Sequence, residues 1–109
     1  MDIIETLLDD SAFRFAFAMA TAETFADYNL KVYAQTENPS NLTTGVAGYG
    51  GVVYLFQRAL RKDKLFRINN YWNALTSLSN TIVGVSMGEE INQMQMLGVA
   101  LIVTGILLV

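Results

Sequence analysis

Apolar residues dominate four long stretches of this chain, and short polar runs separate them. The first covers residues 11–33, and the polar run QTENPSN follows it. The second covers 41–60 and runs into RALRKDKLFR at 58–67. The third covers 67–87, and SMGEE separates it from the fourth, 91–109. A helix rises about 1.5 Å per residue, so stretches of this length match about 30 Å of hydrocarbon. The pattern predicts an all-α integral membrane protein with four transmembrane helices, forming one membrane domain over 11–109. Residues 1–10, MDIIETLLDD, place Ile3, Ile4, Leu7 and Leu8 at helical spacing between acids. That spacing predicts a short amphipathic segment on the membrane surface, or an extension of the first span. Four acids and no base there are the opposite of a signal-peptide start, so no cleavable signal is expected.

The polar positions inside these stretches carry the candidate chemistry. Glu23 falls near the midpoint of the first, where a carboxylate is costly and marks a candidate functional site. Asp27 and Lys31 follow at successive four-residue steps, on the same helical face. Arg14 and Lys31 lie near the ends, where long stems reach the headgroups. Burial penalises the charged form of a carboxylate, and two neighbouring carboxyls each disfavour ionisation of the other. Ala16, Ala20 and Ala26 flank this face and leave room for a ligand or a close helix. In the third stretch, Asn69, Asn73, Thr76, Ser77 and Asn80 form a polar stripe that Gly84 continues. Such a stripe holds helices together or lines a wet cavity. Glu23, Asp27, Trp72, Asn73, Ser77 and Asn80 are therefore the candidate proton- and substrate-binding residues. The plainer alternative keeps Glu23 protonated and bonded to Asn73, Ser77 or Asn80 as helix glue. Tyr71 and Trp72 also suit an interfacial aromatic belt, and Trp72 a stacking surface for substrate.

Small residues predict where helices meet. Gly45, Gly48, Gly50 and Gly51 crowd the second stretch, and Ala47 and Gly51 are a small-xxx-small pair. Gly98 and Gly105 are two turns apart on one face of the fourth. Gly48, Gly51, Gly98 and Gly105 are the expected packing positions. No strand precedes the glycine run, so it is not a phosphate-binding fingerprint. Asn41-Leu42-Thr43 matches a glycosylation sequon, or caps the second helix.

Composition narrows the function classes. The chain has 109 residues, 52% hydrophobic and 16% charged, against about 25% charged in ordinary soluble domains. A net charge of −3 argues against nucleic-acid binding. Without cysteine or histidine, thiol chemistry and the commonest general base and metal ligand are excluded. No nucleophile–base or metal constellation exists, so no enzyme, metal or cofactor is expected. The run at 58–67 has five bases and one acid. By the positive-inside rule this loop and both termini are cytoplasmic.

Four spans and an acid at the middle of the first resemble the small multidrug resistance transporters, and one half of the EamA-type drug/metabolite transporters. The matching residues are Ala22-Glu23 with Lys31 eight residues on, Trp72 near the start of the third span, and Gly88, Gly98 and Gly105. The chain departs from the family at Ala74-Leu75-Thr76, where a small kink motif is usual, and at Asn69, where a tyrosine is usual. The resemblance implies a four-helix bundle that oligomerises in the lipid bilayer. It also implies a proton-coupled exporter of small cationic substrates in which Glu23 binds proton and cation by turns. A strongly basic loop implies one orientation, so the partner is a second copy or an oppositely oriented subunit. The rival expectation is a non-transporting accessory subunit of a larger membrane assembly on the same fold.

Overall fold

The computed structural model describes residues 3–106 and 108. The chain is all-helical: α1 (Ile3–Asp9), α2 (Ser11–Thr36), α3 (Pro39–Leu60), α4 (Leu65–Ser86) and α5 (Gln93–Ile106). Met1 and Asp2 of the N-terminal segment, and Leu107 and Val109 of the fourth expected span, lie outside the described residues.

Local chemistry sets the boundaries. Asp10 ends α1 in extended geometry and caps α2, its carboxylate accepting from the Ala12 N–H at 2.9 Å. The N-terminal segment is thus a separate helix and not a continuation of the first long one. Glu37 takes a left-handed φ of 57° at the end of α2, and its N–H reaches the Tyr33 carbonyl. Asn38 then caps α3, accepting from the Ser40 N–H at 3.1 Å, with Pro39 in the first turn. The cap is therefore Asn38 and not Asn41. The Asn41 amide instead donates to Asn29 Oδ1 of α2 at 3.0 Å, between two helices.

The long helix α2 is the centre of the bundle, packing against α3 on one side and α4 on the other. Among the described residues α5 packs against α4 only. Alanine allows the close packing of α2: Ala12, Ala16, Ala20 and Ala26 are fully buried. A Cβ added at Gly48 would lie 2.8 Å from the Ala26 Cβ, and one at Gly45 2.7 Å from Leu30 Cδ2, so α3 reaches α2 through missing side chains. The alanine face serves helix contact. Gly51, Gly98 and Gly105 have nothing within 4 Å of such a Cβ and face open space in the single chain. Met19 and Ile68 are the largest fully buried side chains. Tyr71 is also buried, edge-on to Phe13 at 5.6 Å, so it belongs to the core and not to an aromatic belt.

The outside carries what the small core does not. Phe17 and Phe25 on α2, Val46 and Val53 on α3, Ile82 on α4, and Met94, Leu97 and Leu101 on α5 are all more than half exposed. Among the described residues no helix is both long and apolar enough to cross a membrane. α2 has the length but carries Arg14, Glu23, Asp27 and Lys31; α5 is uncharged but has 14 residues. The all-α expectation holds at the level of helices, and the four spans remain a proposal.

Candidate functional site

Two carboxylates on α2 organise the space between the three long helices. Glu23 and Asp27 are one turn apart, about 6 Å along the axis, and both are half-buried. Trp72 Nε1 donates to Glu23 Oε2 at 2.6 Å, and Thr76 Oγ1 donates to the same oxygen at 3.1 Å. Among the described residues no donor reaches Glu23 Oε1. Phe56 of α3 packs on the indole, ring centroids 5.1 Å apart, and so helps aim the Trp72 N–H at the carboxylate. One turn along, Asn80 Nδ2 donates to Asp27 Oδ2 at 2.8 Å, and the Tyr49 hydroxyl of α3 donates to Asp27 Oδ1.

These partners lie on one row of α4. Residues 72, 76 and 80 are four apart, and Gly84 extends the row. The expected stripe straddles this row and its neighbour. Thr76 and Asn80 therefore face α2, whereas Asn73 is exposed, and the carbonyl of Ser77 accepts from Thr81 within α4. Of the expected glue partners for Glu23, then, Asn80 goes to Asp27, and neither Asn73 nor Ser77 reaches Glu23. Tyr49, Thr76 and Phe56 complete the cluster beyond the candidates named from sequence. A tyrosine among the glycines of GVAGYGG was the available signal for Tyr49: a polar tip on a helix otherwise built for close contact.

Electrostatics separates this pair from four acids that meet a base. Asp9 pairs with Arg14 at 3.6 Å, Asp63 with Arg67 at 2.8 Å, and Glu89 with Lys31 at 3.2 Å, while Asp10 also meets Arg67. Glu23 and Asp27 form no ion pair among the described residues and are held by neutral donors. Among the described residues, no group of three or more acids converges in a way that could hold a metal ion.

No protein-family model matches this chain, and no match was found among curated proteins or solved structures.

Proposed function

We propose that this protein is a membrane-embedded, proton-coupled exporter of small cationic compounds, with Glu23 binding proton and substrate alternately. The observation that carries the reading is the pair Glu23 and Asp27: half-buried carboxylates between packed helices, met only by neutral donors. A proton and a cation compete for one carboxylate, so occupancy is exclusive, which is the minimum that exchange requires. Trp72 offers a flat apolar surface beside Glu23 for the organic part of a substrate. The apolar outer faces of α2, α3 and α5 favour a lipid or subunit environment over water. The small multidrug resistance resemblance points the same way. A dimer, or pairing with an oppositely oriented subunit, would use the open glycine face of Gly98 and Gly105. The basic 58–67 loop would lie on the cytoplasmic side.

A second reading has its own observation. Glu23 already receives two hydrogen bonds from α4, and a carboxyl so held can serve as helix glue in a non-transporting accessory subunit. Reconstituted proteoliposomes separate the two. A proton gradient is expected to drive uptake of a cationic dye such as ethidium, and Glu23→Gln is expected to abolish it. Equal uptake by the variant, or none by the parent, would leave the accessory-subunit reading.

A further inference from the structure

Beyond Asp27, toward the C-terminal end of α2, lies a cavity of about 160 Å³ walled by Asp27, Lys31, Asn80, Val83, Met87 and Glu89. Two of its lining residues form an ion pair across two elements, Lys31 Nζ of α2 to Glu89 Oε2 of the α4–α5 connection, at 3.2 Å. Gly84 makes room for the Glu89 side chain. The Glu89 N–H bonds the Gly84 carbonyl at 3.0 Å, and the Glu89 side chain lies where a Cβ on residue 84 would stand. A Cβ there would press on Glu89 Oε1, while Oε2, the atom that holds Lys31, would lie 3.9 Å away. The cavity wall thus carries two carboxylates, Asp27 and Glu89, and one ammonium, Lys31, which pairs with Glu89 and leaves Asp27 without an ion pair among the described residues. Val83 and Met87 supply an apolar wall beside these acceptors, the lining that suits a small amphiphilic ligand.

We propose that this cavity binds a small primary alkylammonium between Asp27 and Glu89, and that Lys31 is its tethered competitor. The Lys31 ammonium holds Glu89 while the site is empty. An incoming ammonium replaces it, and the freed lysine swings out to water. The bridge suits that role because both side chains are about half exposed, 46% and 52%, and so exposed an ion pair is weak enough to displace. The proposal rests on the cation reading above only for the sign of the ligand's charge.

The test is equilibrium binding of propylammonium to the full chain in detergent micelles, followed by the Asn80 side-chain amide signals in NMR. Lys31→Met keeps the apolar stem and removes the competitor, and it is expected to bind roughly tenfold more tightly, about 1.4 kcal/mol. The nearly isosteric Asp27→Asn is expected to lose saturable binding while its helical circular dichroism is retained. Glu23→Gln separates this site from the exporter carboxylate. The proposal is overturned if Lys31→Met binds no tighter than the parent, if Asp27→Asn still binds, or if neither parent nor Lys31→Met shows a saturable shift. Binding lost in Glu23→Gln but kept in Asp27→Asn would remove this site and leave the single-carboxylate exporter intact. Propylammonium binding at Asp27 without dye uptake would do the reverse.

Discussion

Glu23 shows how the charge state of one side chain decides what its neighbours are worth. Two donors converge on Oε2, and Trp72 is the nearer, at 2.6 Å. A hydrogen bond to an ionised carboxylate contributes about 1.5–3 kcal/mol, and one to a neutral group about 1. Trp72→Phe keeps the ring against Phe56 and removes only the N–H. If Glu23 is ionised in the micelle-bound protein, this change should cost about 1.5 kcal/mol in denaturant unfolding. In a Glu23→Gln background the same change should cost about half as much. The difference, a double-mutant coupling, reports the charge on Glu23. Equal costs in both backgrounds would favour a permanently neutral carboxyl and the glue role. Asp27 calls for a different variant, because its donors come from both flanking helices. Tyr49→Phe should loosen α3 against α2 without touching Trp72.

Helices were legible from sequence where capping chemistry is local. The first long helix starts at Ser11 as read, whereas α3 starts at Pro39 and not at 41, because Asn38 rather than Asn41 caps it; residues 72, 76 and 80, four apart, make their contacts from one side of α4. What the sequence lacks is azimuth: a period of 3.6 gives a stripe its width but not which of its rows meets the neighbouring helix. Asn73 and Ser77 were assigned to the site for that reason, and the partners of Glu23 proved to be Trp72 and Thr76. The glycines teach the same lesson. Gly48 and Gly51 look alike in the sequence, yet only Gly48 lies against Ala26. Gly51→Ala should stabilise the isolated chain by up to about 1 kcal/mol through helix propensity. Gly48→Ala gains the same propensity but collides with Ala26, and overpacking costs about 1–3 kcal/mol. It should be net destabilising by about 1 kcal/mol. Thermal unfolding of both variants in micelles checks the opposite signs.

The α3–α4 connection is also an element held by charge. Asp63 accepts from the Lys64 N–H at 2.7 Å and from Arg67 at 2.8 Å. The backbone N–H of Lys64, followed by the Arg67 bond, holds its carboxyl below the usual carboxylate range, and burial partly opposes them. A carboxyl lowered in the folded state stabilises fully above its unfolded value, about 4. That contribution disappears as pH falls through the lower folded value. Asp63→Asn should therefore lower stability at neutral pH and flatten the acid limb of the stability curve. A variant with the parent's slope below pH of about 4 would assign that limb to other acids.

For the whole molecule, the apolar residues fall into two sets. Small and large apolar side chains fill the buried core around the half-buried Glu23, Asp27, Tyr49 and Asn80, and a second set of phenylalanine, valine, leucine and methionine lies exposed on the outer faces. In water, fully burying one large apolar side chain is worth about 1.5–3 kcal/mol, so many exposed ones imply a cover. α5 makes the point most sharply, since Met94, Leu97 and Leu101 share a face and, among the described residues, α5 packs against α4 only. If that cover is a bilayer, the two ends of α3 must lie in different compartments. Gln35, late in α2, and Lys62, just beyond α3, are both exposed and mark those ends. Single cysteines at the two positions are introduced into a chain with no native cysteine, so labelling is unambiguous. In intact cells an impermeant maleimide should label Gln35→Cys and spare Lys62→Cys, which the basic loop keeps on the cytoplasmic side. Lysis should then expose Lys62→Cys. Equal labelling of both before lysis would mean that α3 does not cross, and the apolar exterior would have to be covered by protein partners instead.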